Sequence, residues 1–337
     1  MMLHCVVGAV KLTLPHTQPG IQQHGPSSSD PDSQERTLMR ADRPSACLLA
    51  ILAVLCATTL RAAEPVYTQQ QDVVIAESYG LAVPMDIFTP TGEKNGRAIV
   101  DVASGAWHSD RGKIRDHQRA LFYDILCGRG YHVFAVRPGS ISRFRAADMV
   151  ANIETTIRWV KERATDYSID PTKLGLTGAS AGGHLASLVG LKTSRAGDDA
   201  ARVAAVAVFF PPTDFVEWAD VAVDPRAEGR INQIAAQLAF PNGLTGLDDT
   251  QIQEKLTLIS PSRQAHAEAP PFLLIHGDAD PVVPLKQSEL LRDALLAASV
   301  PVQLIVKEGG GHPWLTIPEE VAKLADWFDE QLRTSGP

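Results

Sequence analysis

The sequence predicts an α/β protein with a mostly parallel sheet of about eight strands and helices on both of its faces. From residue 72 onward, apolar runs of strand length alternate with longer segments of helical spacing, as in a parallel sheet joined by crossover helices. The chain has 337 residues, 45% of them hydrophobic, which is enough for one large core. Its formal net charge of −8 comes from interleaved acidic and basic residues, so no surface for nucleic acid is expected.

The predicted elements follow a regular order along the chain. A hairpin comes first, followed by two buried strands, a long helix and a third buried strand that runs into a helix ending near Leu191. Three more strands and two helices complete the pattern. A longer polar and helical stretch at about residues 214–270 is predicted to be an insertion over the carboxyl edge of the sheet. The strands are predicted at residues 72–78, 82–90, 97–104, 132–138, 173–180, 202–212, 271–281 and 302–311, and the other helices at residues 146–167, near 285–298 and from Pro318.

The first part of the chain differs in composition from the rest. Residues 15–36 are rich in Pro, Gln, Ser and Gly and have few large apolar side chains, so they cannot bury enough surface to offset the entropy of ordering. We therefore expect residues 1–38 to be disordered or an upstream over-extension, with Met39 as the true start.

A secretory signal peptide is predicted at residues 39–63. Arg40 and Arg43 precede an apolar run at residues 46–60, and cleavage is expected near Ala63. The alternative is a membrane anchor, although the run is shorter than the roughly 20 residues that a spanning helix needs. The mature protein is then expected to be secreted or periplasmic, without stable membrane insertion.

The predicted mature domain comprises residues 64–337. Three of the four cysteines precede it, so the domain retains only Cys127 and is expected to have no internal disulfide. A domain of this size needs no such covalent support, because its core is large enough to stabilise it.

The segment "GASAG" at residues 178–182 joins a predicted strand to a predicted helix. In G-x-S-x-G the serine occupies a tight turn, where Gly178 and Gly182 avoid clashes of Cβ atoms. The helix that begins near Ala181 directs its free N–H groups toward negative charge on a substrate. The motif alone also fits a glycine-rich helix start packed on a sheet, but its position between an apolar strand and an Ala/Leu helix predicts that Ser180 is a nucleophile.

A serine nucleophile needs a base to accept its proton and an acid to orient that base. The strand that ends in "HGDADPVVP" is followed by Asp278 and Asp280, and the next strand ends in a loop with His312. The chain order serine, aspartate, histidine is the one expected of this architecture. An aspartate in a turn and a histidine after glycines are common on any surface, but their joint position after consecutive strands predicts a triad of Ser180, Asp280 and His312.

These motifs resemble those of the α/β-hydrolase superfamily, and within it the secreted esterases related to acetyl-xylan and feruloyl esterases and the hormone-sensitive-lipase-like group. The segments "SIDPTKLGLTGASAGGHLA", "HGDADPVVP" and "GGGHPW" carry the resemblance, which covers residues 72–333. It implies an α/β-hydrolase fold and a Ser-His-Asp triad in which Asp280 is the acid and Asp278 a turn residue.

The oxyanion segment of these relatives reads H-G-G-G/A-W, whereas this chain reads "ASGAW" at residues 103–107. Alanine replaces the histidine and serine the first glycine. The donors of an oxyanion hole here would be backbone N–H groups. The resemblance therefore implies that Gly105, Ala106 and Ala181 form the oxyanion hole, although the lost histidine leaves the placement of the loop open.

The resemblance implies a serine ester hydrolase that acts on acetyl, feruloyl or other short acyl esters, including carbohydrate-linked ones. Trp107 and Trp218 are candidates for substrate binding, as is Phe240, although packing against the sheet is an equal alternative for the last two. Three arginines after the fourth strand are candidates for recognising an acidic group such as a uronate, or for structural ion pairs. They are Arg137, Arg143 and Arg145.

Alternatives to the esterase remain open. A serine peptidase or an arylformamidase-like amidase shares these motifs, and a non-catalytic binding protein on this fold would usually lose a member of the triad. No metal-ligand spacing or phosphate loop occurs in the sequence, so neither a cofactor nor a metal is predicted. The expected partner is a small-molecule or carbohydrate ester, and the oligomeric state is not predicted.

Overall fold

The computed structural model describes residues 64–195 and 199–333, so the predicted extension and signal peptide (residues 1–63) lie outside the described residues. An eight-stranded sheet forms the centre of the protein and confirms the predicted α/β class. A separate two-stranded ribbon lies between its sixth and seventh strands along the chain. The strands of the large sheet are β1 (Tyr67–Ser78), β2 (Leu81–Pro90), β3 (Ala98–Val102), β4 (His132–Val136), β5 (Leu174–Ala179), β6 (Ala205–Phe209), β9 (Phe272–Gly277) and β10 (Val302–Lys307), and those of the ribbon are β7 (Glu217–Trp218) and β8 (Val221–Ala222).

The strand order across the large sheet is β1-β2-β4-β3-β5-β6-β9-β10. β1 pairs antiparallel with β2 and β2 with β4, whereas the remaining neighbours are all parallel. The carboxyl ends of β5, β6, β9 and β10 therefore lie side by side along one edge of the sheet. Loops that follow these strands meet there, which is where open α/β sheets bind ligands.

Helices cover both faces of the sheet. Neighbouring residues of a strand, such as Ile99 and Val100, belong to different core clusters because successive side chains point to opposite faces. One cluster packs against the helices Arg111–Arg119, Phe122–Gly128 and Ile317–Gln331, and the other against the helices Ala146–Glu162, Ala181–Arg195 and Lys286–Ala297. The helices are α1 (Arg111–Arg119), α2 (Phe122–Gly128), α3 (Ala146–Glu162), α4 (Ala164–Tyr167), α5 (Ala181–Arg195), α6 (Arg230–Ala239), α7 (Asp249–Leu258), α8 (Lys286–Ala297) and α9 (Ile317–Gln331), with a 3-10 turn at Pro261–Arg263.

Two parts of this framework differ from the sequence prediction. β1 begins at Tyr67 instead of Asp72, because its first residues are polar and lie on an exposed edge strand that leaves little apolar pattern. The sequence analysis does not predict α1 and α2. In α1 only Ile114 and His117 are buried, and the rest of the helix is polar, so it has too few apolar residues to mark a helix in the sequence.

The insertion segment (residues 214–270) contains the β7–β8 ribbon, α6, α7 and the 3-10 turn. Its start is held by the fully buried side chain of Gln287, whose Oε1 accepts N–H bonds from Thr213 and Asp214 at 2.7 Å each. The Asp214 carboxylate also forms an ion pair with Arg263 at 2.9 Å. The two ends of the segment are therefore joined to each other and to the main domain.

His132 lies fully buried on β4 beside Phe134 and Tyr167. Neither of its ring nitrogens has a hydrogen-bond partner in the described part of the chain. Burial and, to a smaller extent, the charge of Lys94 together lower the pKa of His132 to about 4. The imidazole is consequently neutral in the folded protein at neutral pH.

We expect His132→Leu to stabilise the protein, because leucine fills similar space without leaving a polar group unpaired; the gain should be about 1 kcal/mol at pH 7. The unfolded imidazole titrates near 6.5, so between about pH 6.5 and 4 the unfolded state binds more protons and wild-type stability falls as pH falls. The variant should therefore gain most near pH 4. Urea denaturation from pH 4 to 8 measures this, with His108→Gln, at an exposed position, as the control. An unchanged pH slope in His132→Leu would contradict the assignment.

Candidate active site

Ser180 occupies the turn between β5 and α5 with a φ of +55°, a left-handed conformation that costs a residue with a side chain about 1–2 kcal/mol. The glycines around it leave no room for a side chain. A Cβ on Gly178 would lie 2.5 Å from the carbonyl carbon of Gly182, and one on Gly182 would collide with the Val102 carbonyl oxygen. Close packing of strand and helix therefore requires both glycines and holds Ser180 at the carboxyl edge of the sheet.

The side chains of Ser180, His312 and Asp280 form a continuous hydrogen-bonded row. His312 Nε2 lies 2.9 Å from Ser180 Oγ, and His312 Nδ1 lies 2.6 Å from Asp280 Oδ2. The ring of Phe210 packs on the imidazole with a centroid distance of 4.3 Å. The three polar residues come from the loops after β5, β9 and β10, so the sheet topology brings them together from distant points of the sequence.

Asp280 rather than Asp278 contacts the histidine. The Asp280 carboxylate is fully buried, and its Oδ1 accepts the N–H groups of Val282 and Val283 at 2.8 and 2.9 Å. Burial alone would raise the pKa of Asp280, but hydrogen bonds from His276, His312 and these two N–H groups hold it well below its usual range. The side chain of Asp278 is turned to the neighbouring loop, where Oδ1 accepts the Gly309 N–H at 2.7 Å.

The segment "ASGAW" forms a tight turn beside Ser180. Ala106 and Trp107 have φ values of +47° and +59°, as the two central residues of a type I′ turn require, and Gly105 pairs with His108. The N–H of Gly105 donates to the His108 carbonyl at 3.2 Å, so the prediction of Gly105 as a free oxyanion donor needs correction. Among the described residues, the N–H groups of Ala106 and Ala181 have no acceptor.

A buried histidine connects this turn to the insertion segment. The indole Nε1 of Trp107 donates to His184 Nδ1 at 2.9 Å, and His184 Nε2 donates to the Ile259 carbonyl at 2.8 Å. Burial lowers the pKa of His184 to about 4, and the bond to the Ile259 carbonyl only partly opposes this. The sequence favours packing on a core helix for His184, and the structure makes it a neutral bridge between two hydrogen-bond partners.

We expect His184→Leu to lower kcat for ester substrates by about tenfold to a hundredfold, because Trp107 loses its acceptor and the turn its fixed position. His184→Gln is the matched control, since a glutamine amide can accept from Trp107 and donate to Ile259. It should retain kcat within about threefold. Steady-state kinetics with thermal melting separates the two effects. Equal loss of kcat in both variants would show that the bridge does not position the turn.

A cavity of about 580 Å³ opens above the nucleophile. Ser180 and His312 lie in its wall together with the predicted Gly105 and Ala106, and the predicted Trp107 and Trp218 also line it. Ile231, Ile234, Val282 and Val283 make much of the remaining wall apolar. Phe240 is not among the lining residues; it is buried at the end of α6 in the core.

The three arginines after β4 do not line this cavity. Arg137 forms ion pairs with Asp72 and with Asp86, which is fully buried. Arg145 occupies the N-cap position of α3, where its backbone N–H donates to Asp148, and its guanidinium donates to the Ile141 carbonyl. The structure therefore gives Arg137 and Arg145 supporting contacts and leaves Arg143 exposed, and the positive side chains of the cavity are Lys113 and Arg230. Neither residue follows from a recognisable motif.

His276 is a further residue that the sequence analysis missed. It is fully buried behind Asp280, with Nε2 bonded to the Val283 carbonyl at 2.9 Å and Nδ1 to Ser288 Oγ at 2.7 Å. It thereby fixes the loop that holds the carboxylate. The sequence feature that could have indicated this role is a histidine inside an apolar strand, but the same feature is equally typical of a histidine packed in the core.

Within residues 64–195 and 199–333, no cluster of three His, Cys, Asp or Glu side chains could hold a metal ion. None of the helices in that part of the chain is both long and apolar enough to cross a membrane. The site therefore consists of a nucleophile, an oriented base, a buried acid and two unengaged N–H groups. Such a set can transfer an acyl group through a covalent intermediate.

A family model described as BD-FAE matches residues 85–295, which is more than half of the chain. The matched range contains Ser180 and Asp280, whereas His312 lies beyond it. The assignment of the base therefore depends on the distances given above. The predicted resemblance to the α/β-hydrolase superfamily is confirmed by this match together with the sheet topology.

The chain is also similar to individual proteins. The probable carboxylic ester hydrolase LipM of Mycobacterium tuberculosis is 27% identical over 242 residues, 69% of this chain and 53% of LipM. Esterase LipQ of the same organism is 31% identical over 155 residues, 43% of this chain and 34% of LipQ. The chain thus spans about half or less of the length of these curated relatives. A solved truncated carbohydrate esterase from gut microbiota is 26% identical with a TM-score of 0.66, and the match covers 80% of this chain and 98% of that one.

Proposed function

The chain belongs to the BD-FAE family, and from this membership and the arrangement around Ser180 we propose that it is a serine carboxylic ester hydrolase. The observation that carries the proposal is the row from Ser180 through His312 to Asp280, with distances of 2.9 and 2.6 Å. The esterase names of its relatives support the same reaction class.

In the proposed reaction, Ser180 Oγ attacks the ester carbonyl carbon while His312 Nε2 accepts the serine proton. The carbonyl oxygen becomes an oxyanion that the N–H groups of Ala106 and Ala181 stabilise. The bond to the alcohol oxygen then breaks, and His312 returns the proton to the leaving alcohol. Water, deprotonated by His312, attacks the acyl-enzyme and releases the acid with Ser180 restored.

Asp280 supports both halves of this cycle. Its ionised carboxylate accepts the Nδ1–H of His312, which leaves Nε2 free to act as the base. The same negative charge stabilises the imidazolium that forms after each proton transfer. Since hydrogen bonds hold its pKa well below the usual range, Asp280 stays ionised at every pH at which His312 could act as a base.

The proposed substrates are acetyl, feruloyl or other short acyl esters, including carbohydrate-linked ones. A cavity of about 580 Å³ with an apolar wall has room for an acyl group and part of the alcohol. The similarity to a carbohydrate esterase favours sugar alcohols. A peptidase or amidase on the same fold remains the second candidate, and the substrate panel separates the two.

The test is turnover of acetyl, butyryl and feruloyl aryl esters, with 4-nitroacetanilide as the amide. Ester kcat/KM should exceed anilide kcat/KM by at least about a hundredfold. A fluorophosphonate probe should label the protein once, at Ser180, as located by peptide mass spectrometry. Comparable turnover of the anilide would favour the amidase. Absence of both turnover and labelling would refute the proposal.

We also propose that the protein is exported after removal of residues 39–63. The composition break at Met39 and the apolar run at residues 46–60 support this. The mature chain is expected to begin at or near Glu64. N-terminal sequencing and intact mass of protein from the native source measure it, and a cytoplasmic form that retains residues 1–38 would contradict both the start and the cleavage.

A further inference from the structure

The charged groups in the wall of the cavity are unusual for an acidic protein. Apart from His312 of the catalytic row, Lys113 and Arg230 are its charged lining residues, and no carboxylate lines it. The whole chain carries a formal charge of −8, so a wall with two cations and no acid contrasts with the rest of the molecule. A ligand pocket commonly owes its specificity to a few such placed polar groups.

Lys113 is half-buried on α1 and packs beside the oxyanion turn, where its Cδ lies 3.6 Å from the position of a Cβ on Gly105. It makes no ion pair or hydrogen bond with any residue that the structure describes. Burial lowers the pKa of Lys113, and the more distant carboxylates of Asp116, Asp101 and Asp110 only partly oppose this. The ammonium therefore lacks a close counter-charge of its own.

Arg230 is the first residue of α6 in the insertion segment, on an exposed position of the cavity wall. Within the described ranges its guanidinium has no carboxylate partner either. By contrast, Arg137, which follows β4, is engaged with Asp72 and Asp86. An arginine without a partner at a ligand cavity offers a planar set of donors that fits a carboxylate.

We propose that the substrate is an ester that carries a carboxylate elsewhere in the molecule, and that Lys113 and Arg230 bind this carboxylate while Ser180 attacks the ester. Acidic sugars that bear an acyl group have this chemistry. The inference depends on the proposed ester hydrolysis and adds the charge class of its substrate. In this proposal, Lys113 and Arg230 recognise the acidic group, and the three arginines after β4 do not.

The test uses two matched pairs of esters that differ in one group. On the alcohol side, 4-acetoxybenzoate is compared with 4-acetoxybenzamide. On the acyl side, the mono-4-nitrophenyl ester of adipic acid is compared with the 4-nitrophenyl ester of adipamic acid. The kcat/KM of each ester is divided by the second-order rate constant for hydrolysis of the same ester by hydroxide. This ratio removes differences in intrinsic reactivity between the two esters of a pair. The wild type should prefer the carboxylate member of at least one pair by about tenfold or more, and added salt should reduce this preference.

The variants are Lys113→Met, Arg230→Leu and the double substitution. Each single variant should reduce the carboxylate preference by about threefold to tenfold, and the double variant should abolish it. The kcat/KM of the amide-bearing esters should stay within about threefold of wild type. Arg202→Leu is the matched control, because Arg202 is exposed just before β6, at the opposite edge of the sheet. Because Arg230 is exposed, its variant keeps the test valid if Lys113→Met fails to fold.

The outcomes separate this inference from the proposed function. Hydrolysis of all the esters without a carboxylate preference would overturn the inference and leave the esterase intact. If the variants lost kcat/KM equally for both members of each pair, the inference would also be overturned. The two cations would then stabilise the oxyanion of any ester and would not bind the carboxylate of the substrate. Hydrolysis of no ester by a folded protein would refute the proposed function itself.

Discussion

Replacement of Ser180 by alanine is expected to lower kcat/KM for every ester substrate by about 10⁴-fold or more. Alanine cannot form the acyl-enzyme, so His312 and Asp280 are left without a nucleophile to activate. The residual rate should come from the oxyanion donors and from binding alone. Initial rates at substrate concentrations below KM, on enzyme freed of wild-type contamination, measure the loss.

The fold should tolerate this change. Alanine adopts the left-handed conformation of Ser180 at a similar cost, and the hydrogen bond it removes, to His312, is worth about 1 kcal/mol. The melting temperature should therefore move by no more than about 4 °C. The fluorophosphonate probe should no longer label the variant. A folded Ser180→Ala protein with near-wild-type activity would rule out the proposed mechanism.

Substitution of Asp280 by asparagine is expected to lower kcat by about 10⁴-fold. The amide of asparagine can donate to His312 Nδ1, which places the ring proton on Nε2 and blocks acceptance of the serine proton. Oδ1 can still accept from Val282 and Val283, so the loop should keep its shape. Steady-state kinetics at neutral pH measures the effect, together with a melting curve.

Asp278→Asn provides the matched comparison two residues away. Its Oδ1 would still accept the Gly309 N–H, and the side chain does not contact the histidine. We expect kcat within about threefold of wild type. If Asp278→Asn lost more activity than Asp280→Asn, the acid of the triad would have been assigned to the wrong aspartate.

The prediction of the fold and the prediction that Ser180, Asp280 and His312 meet rest on the same physical reason. The strands before Ser180 and Asp280 are buried, predominantly apolar runs, whereas the strand before His312 is a partly exposed edge strand, and each is followed by the loop that carries its polar residue. The positions of Ser180, Asp280 and His312 after their strands therefore implied that they meet at one edge. The choice of Asp280 over Asp278 came from the resemblance, and the structure places Asp280 against the histidine.

Features that depend on side-chain contacts between distant elements could not be predicted in this way. The acceptor of the Gly105 N–H is set by the turn through Ala106 and Trp107, whose positive φ values have no reliable signature in a sequence without glycine there. Lys113 lies on a helix with very few apolar residues, and Arg230 lies in the insertion segment. Their meeting at one cavity follows only from the packing of these two elements.

The segment "ASGAW" differs from the H-G-G-G/A-W pattern, and the structure offers a physical reason why serine is tolerated at its second position. The resemblance to α/β-hydrolases implies a glycine at the position of Ser104, whose hydroxyl is buried without a hydrogen-bond partner among the described residues. Its carbonyl accepts the Gly182 N–H at 3.0 Å and joins the turn to the start of α5. Because the backbone makes this contact, the side chain at this position can vary while the turn stays in place.

The contacts that fix the insertion segment to the main domain lie at its two ends, so the residues between them can be replaced as a unit. Gln287 holds its start, the ion pair of Asp214 with Arg263 closes its base, and the Ile259 carbonyl is fixed through His184. The intervening residues contribute Trp218 and Arg230 to the cavity wall but none of the catalytic row. Recombination that replaces only this interior, in evolution or in the laboratory, can therefore change the lining of the cavity while Ser180, His312 and Asp280 keep their arrangement.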